Sequence, residues 1–258
     1  LIARTARVVM PRDRHHRPYG HRAKLGLIVP PTNTVNEAEW WQMVPEGVTV
    51  HVTRMPLHAD TTTAAGRAAL EADIRAAAGL LMPAAIDVIA YGCTAGSMMM
   101  PLDGLTGFIE GLTGVPAVAT APALVHALRA LGISRVALAT PYGDRLNGHE
   151  VHFLAEAGID TVAVRGLGIG EGGPHEYVRI ARQSSETVRG HCLAADHPDA
   201  QALLVSCTDF ATRTLLPELE GILGKPVITS NQATLWHALR VAGIDDRLGG
   251  AGALFERA

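Results

Sequence analysis

The chain nearly repeats itself, and this constrains its fold more than any other feature. Gly114-Val115-Pro116-Ala117-Val118-Ala119-Thr120 aligns with Gly224-Lys225-Pro226-Val227-Ile228-Thr229-Ser230 at an offset of 110 positions. His126-Ala127-Leu128-Arg129 then matches His237-Ala238-Leu239-Arg240, and Gly132-Ile133 matches Gly243-Ile244, both at 111. Upstream, Leu27-Ile28-Val29-Pro30-Pro31 lies against Leu138-Ala139-Thr140-Pro141-Tyr142, and Gly92-Cys93-Thr94 against Ser206-Cys207-Thr208 at an offset of 114. Chance is a poor explanation for so many coincidences in order.

Between the matched segments, short apolar runs alternate with helical patterns. Strands are expected at 25–29, 48–54, 88–91, 117–119, 136–139, 161–165, 203–206 and 227–229, and helices at 62–82, 121–131, 146–157, 177–195 and 234–241. Continuous apolar strands interleaved with helices describe parallel sheets covered on both faces. The expected fold class is α/β: two similar lobes of parallel sheet flanked by helices, related by a pseudo-twofold, with the active site in the cleft between them. The lobes are expected at 24–134 and 135–258, with the last helix free to cross back onto the first lobe. Residues 1–23 read as a flexible basic tail. Residues 1–24 hold six Arg and one Lys against Asp13, whereas the whole chain has a net charge of −3.

A hydrophobic content of 48% with 18% charged residues excludes disorder. No apolar run approaches the ~20 residues of a membrane span, and no signal-peptide pattern opens the chain, so a cytoplasmic location and no membrane partner are expected. The tail's histidines and arginines are read as a leader without function, so no nucleic acid is expected as a partner either. A homodimer or higher homo-oligomer is the expected assembly.

Three cysteines without a CxxC pair suggest reduced thiols rather than a disulfide framework or a zinc site. Cys192 sits in a helical pattern and reads as a small hydrophobe. Cys93 and Cys207 differ from it. Each follows an apolar strand, so each sulfur belongs at the C-terminal sheet edge where loops and helix N-termini converge and ligands bind. Two facing lobes would bring both into one cleft. Helix N–H groups at 94–97 and 208–210 are expected to lower the thiol pKa and to cradle a carboxylate or its enediolate. Two sulfurs on opposite faces of a planar carbon can act as an acid/base or a nucleophile/acid pair on a small carboxylate.

Other chemistries fit less well. Pyridoxal chemistry needs a Schiff-base lysine, and Lys24 and Lys225 both lie at strand starts, the wrong edge. Gly168-Ile169-Gly170-Glu171-Gly172-Gly173 matches GxGxxG, but Glu171 would repel a pyrophosphate; a loop over the cleft is the better reading. His149-Glu150-Val151-His152 lacks HExxH spacing and reads as helix surface. No cofactor and no metal are expected.

At the residues around the two cysteines, the sequence resembles the aspartate/glutamate racemase superfamily, in its maleate cis–trans isomerase and arylmalonate decarboxylase branch. The resemblance covers residues 24–254. It rests on Val29-Pro30-Pro31-Thr32-Asn33-Thr34, on Gly92-Cys93-Thr94-Ala95-Gly96-Ser97, on Thr140-Pro141-Tyr142 with Asn147, and on Ser206-Cys207-Thr208. Cysteines in both motifs favour the isomerase or racemase members. The resemblance implies that Cys93 adds to an alkene carbon of a maleate-like cis-enedioate and that Cys207 handles the proton. It also implies that Asn33 and Tyr142 hold the carboxylates, that Thr94, Thr208 and adjacent amides such as that of Ala95 cradle the enediolate, and that Thr34, Asn147 and Asp209 belong to the substrate-binding set. Two departures stand out. Residues 166–174 lack the asparagine that such isomerases carry there, and Asp209, which follows Cys207-Thr208, resembles the acidic residue of amino-acid racemases. Two-cysteine racemisation of a small carboxylate is therefore the alternative, and a carboxylate-binding protein without turnover is the alternative of another class.

Overall fold

The computed structural model describes residues 18–58 and 63–258. Most of the basic tail lies outside these residues. Its described end is anchored, because the Arg22 guanidinium pairs with Asp246 at 2.5 Å, and β1 begins at Ala23.

The first half comprises β1 (Ala23–Val29), α1 (Asn36–Met43), β2 (Val48–Arg54), α2 (Ala64–Leu81), β3 (Val88–Tyr91), α3 (Thr94–Ser97), α4 (Gly104–Thr113), β4 (Ala117–Ala119) and α5 (Thr120–Ala130). The second comprises β5 (Arg135–Tyr142), α6 (Asp144–Glu156), β6 (Asp160–Ile169), α7 (Ser185–Ala195), β7 (Ala202–Val205), α8 (Leu216–Leu223), β8 (Val227–Thr229) and α9 (Ser230–Val241), followed by α10 (Ala253–Arg257). Both sheets are parallel and four-stranded, ordered β2-β1-β3-β4 and β6-β5-β7-β8. The repeated sequence has thus produced the same sheet twice. The turns repeat as well: Gly114 after α4 and Gly224 after α8 take left-handed φ values of 70° and 63°, a conformation open to glycine because it has no Cβ.

The pseudo-twofold passes between α5 and α9. His126 and His237, equivalent in the repeat, meet there with ring centroids 4.5 Å apart. α9 also lies against β3, β4 and α1, and α5 reaches β8. The inner faces of both sheets therefore share one core, with Leu25, Leu27 and Val118 on one side and Leu138, Leu204 and Ile228 on the other. Each outer face has its own cluster, under α2 and α4 in one lobe and under α7 and α8 in the other. Burying a Leu or Ile side chain contributes about 2 kcal/mol, so a core shared across the halves resists their separation.

Three local expectations need correction. The helix expected over 177–195 is interrupted: Pro174–Arg179 forms a 3-10 turn, and α7 starts only at Ser185, where the Ser184 hydroxyl caps the Thr187 N–H at 3.1 Å. A serine that satisfies a first-turn donor starts a helix rather than continuing one. Residues 166–169 of the expected glycine-rich loop are the end of β6, paired to β5 across an irregularity between Thr140 and Tyr142. A Cβ on Gly166 would collide with the Tyr142 carbonyl oxygen, which explains glycine in that edge strand. Glu150, read as helix surface, is 1% exposed.

Candidate active site

β3 and β7 end two residues before Cys93 and Cys207, and the strands aim both thiols at the same sheet edge. The two cysteines line one cavity of about 440 Å³, mouth included, together with Asn33, Thr94, Ala95, Tyr142, Thr208 and Asp209. Leu57, Leu146, Tyr177 and Ile180 complete its largely apolar lining. Thr34 and Asn147 do not line the cavity. Thr34 gives its backbone N–H to Asp209 Oδ1 at 2.9 Å, and Asn147 sits behind Tyr142, donating to its carbonyl oxygen at 3.3 Å.

Hydrogen bonds between the lobes hold this site together. Asn33 Nδ2 donates to Thr208 Oγ1 at 3.0 Å, and Thr208 Oγ1 donates to the Gly92 carbonyl at 3.1 Å. The Asn33 amide oxygen caps α1 by accepting from the N–H groups of Val35 and Asn36. Ser230 joins both cysteine motifs: its Oγ accepts from the Cys207 N–H at 3.0 Å and pairs with Thr94 Oγ1 at 3.0 Å. Sequence reasoning missed Ser230, although it aligns with Thr120 in the repeat. It also missed Tyr91, which stands beside the Cys93 thiol as Tyr142 stands beside that of Cys207, and whose hydroxyl favours the thiolate. The apolar wall carried no motif and could be found only in three dimensions.

The electrostatics overturn one expectation. Burial pushes both thiols up in pKa, and the helix N-terminus does not reverse this, because α3 is a single turn of four residues. For Cys93, burial is opposed by the N–H of Gly96, the Tyr91 hydroxyl and the N–H of Ala95. For Cys207, burial is opposed by the Tyr142 hydroxyl and the N–H of Asp209, but the Asp209 charge pushes the thiol further up. Burial lifts Asp209 itself to about 6, against the N–H groups of Thr34 and Val35 and the Arg54 guanidinium. Both tyrosines are pushed well above their ordinary range, chiefly by burial, and so remain hydrogen-bond donors.

The backbone separates the cysteines too. Cys93 is extended at φ −146°, whereas Cys207 has φ 150°, a region L-residues rarely adopt. Strain of this kind costs on the order of 1–3 kcal/mol and collects at functional sites. Among the described residues, no group of three or more His, Cys, Asp or Glu is arranged to hold a metal, and no helix is long and apolar enough to cross a membrane.

A family model described as arylmalonate decarboxylase matches residues 25–255. The chain belongs to this family. It is 38% identical to an arylmalonate decarboxylase from Bordetella bronchiseptica over 141 residues, 54% of this chain and 57% of that enzyme. The structure of a Cys-to-Ala variant of the maleate isomerase from Pseudomonas putida S16 with maleate superposes with a TM-score of 0.80 at 26% identity, covering 92% of this chain and 98% of that one. A Cys-to-Ser variant of the Nocardia farcinica maleate cis–trans isomerase, holding a covalently bound succinylcysteine intermediate, superposes with a TM-score of 0.79 at 25% identity over 92% and 99% of the two chains. The family thus includes cofactor-independent isomerases and decarboxylases.

Proposed function

We propose that this chain is a cofactor-independent isomerase acting on a maleate-like cis-enedioate, with Cys93 as nucleophile and Cys207 as proton carrier. The observation that carries the reading is that both thiols line one cavity, on strands related by the pseudo-twofold. The covalent succinylcysteine in the Nocardia relative supports a cysteine adduct. The Asp209 charge acts against ionisation of Cys207, whereas three donors favour the Cys93 thiolate. Nucleophile and acid are assigned accordingly.

In this mechanism the Cys93 thiolate bonds to one alkene carbon. The π pair moves to the other carbon and into its carboxylate as an enediolate, held by donors at Thr94 and Thr208. Cys207 gives that carbon a proton, and the double bond has become a single bond free to rotate. After rotation the Cys207 thiolate removes a proton from the same carbon, the C–S bond breaks, and the pair returns to Cys93 as the trans alkene forms.

A second reading is inversion at the α-carbon of a monocarboxylate with an apolar substituent. It is favoured by the wall of Leu57, Leu146, Tyr177 and Ile180, which offers a second carboxylate little polar contact. NMR in D₂O separates the two. Fumarate formed from maleate supports the first; deuterium entering the α-position of a 2-substituted carboxylate without maleate turnover replaces it with the second. Neither reaction with either substrate class overturns both.

A further inference from the structure

α1 and α6 occupy matching places in the two lobes, and each carries Asn-x-x-Glu: Asn36 with Glu39, and Asn147 with Glu150, both offset by 111. All four side chains are buried. Three residues is close to one helical turn, so in each helix the pair shares a face. The hydrogen bonding, however, is inverted. Glu39 accepts from the N–H groups of Thr212 and Arg213 and from Asn231 Nδ2 at 2.6–2.7 Å, while neither polar atom of Asn36 has a hydrogen bond. Asn147 accepts from the Thr140 hydroxyl and donates to the Tyr142 carbonyl, while neither oxygen of Glu150 has a hydrogen bond.

Glu150 is buried on α6, near Ser206. The polar group that acts on its carboxyl is the Ser206 hydroxyl, which precedes Cys207 in the chain and is itself not in hydrogen-bond geometry. Glu150 also acts electrostatically on Tyr142, whose hydroxyl favours the Cys207 thiolate. α6 packs on β5 and β6. The titratable group facing Glu150 from β5 is Tyr142, and Cys207 lies beyond Ser206. β6 and α7 bring Arg165 and His191, but the His191 ring is occupied by the Thr140 and Arg165 carbonyls, and neither side chain acts on the carboxyl. On α6 itself Arg145, His149 and His152 are exposed. A carboxylate so placed has no aligned protein donor, and burial lifts its pKa to about 7.

We propose that Glu150 is a positioning residue for Cys207. As a neutral acid it leaves Tyr142 and Ser206 undisturbed beside the thiol; as an anion it sets a buried negative charge behind both and opposes any step in which charge develops on the sulfur. The idea rests on Cys207 being the proton carrier, so its test includes a readout that needs no substrate. Alkylation of the two cysteines is followed by peptide mass from about pH 6 to about pH 9. At about pH 8, Glu150→Gln should alkylate Cys207 about fivefold faster than the parent, with Cys93 unchanged, the size expected for removing one nearby like charge. In turnover, the parent should lose rate as pH rises past about 7, and Glu150→Gln should lack that loss. Equal alkylation in parent and variant overturns the proposal whatever reaction the enzyme catalyses. Should Glu150→Gln fail to fold, Ser206→Ala tests the same idea: removing the hydroxyl that favours the anion should move the alkaline loss to higher pH, and an unmoved profile overturns it.

Discussion

Cys93 and Cys207 stand at equivalent places in two copies of one plan, yet their surroundings differ. Cys93 has a relaxed backbone, a hydrogen bond from the Gly96 N–H to its sulfur, and Glu39 tied up by the opposite lobe. Cys207 has a strained backbone, Asp209 beside it and the unpartnered Glu150 behind it. Nearby negative charge disfavours a thiolate, and the proposed mechanism accordingly draws its nucleophile from the first lobe and its proton carrier from the second. The two copies of the fold thus differ in charge and hydrogen bonding around an equivalent position in the plan.

The largest expected effects come from exchanging the two roles. Cys93→Ala should abolish turnover and covalent adduct together, by more than about 10³-fold, because no other group reaches the alkene from that face. Cys207→Ala should lose turnover to a similar degree but keep a thiol able to add, visible by intact mass as a species one substrate heavier. An adduct mapped to Cys207 in the parent enzyme would reverse the assignment.

Next come the two glutamates, which should respond in opposite directions. Glu39→Ala leaves two backbone N–H groups and the Asn231 amide without their acceptor, and should destabilise the fold by about 3 kcal/mol in chemical denaturation. Glu150 behaves differently because its pKa rises from an ordinary 4.5 to about 7 on folding. Between these values the folded chain binds a proton that the unfolded chain has lost. Its contribution to stability is therefore greatest below about pH 4.5 and is lost as pH rises to about 7, by about 3 kcal/mol. Glu150→Gln should remove that part of the decline and equal or exceed the parent in stability at about pH 8. A variant less stable than the parent at both ends of the range would contradict this.

The smallest effect concerns the backbone. Cys207→Gly relieves the φ of 150° and should stabilise the protein by about 1 kcal/mol while removing activity. Cys93→Gly, at an extended φ of −146°, should destabilise it. Thermal unfolding of the two variants checks the sign of each.

The sequence by itself determined the plan: eight strands fell at the short apolar runs, and the offset near 110 announced two sheets with a thiol at the same edge of each. These features were legible because strand periodicity and turn residues act over a few positions. The interrupted segment 177–195 was misread because one serine cap outweighed a continuous helical pattern. What only the tertiary structure decided was the chemistry around the thiols. The offset places Glu39 and Glu150 at equivalent positions, but Glu39 is bound by Asn231, 192 residues away, while Glu150 has no aligned partner. Ser230, which joins Thr94 to Cys207, and the Leu57–Ile180 side of the cavity also arise from distant segments that fold together. Hydrogen-bond partners and loss of water set the pKa of a buried group, and both depend on what the rest of the chain places against it. Local sequence therefore located the cysteines, while the packed structure gave each its own set of neighbours.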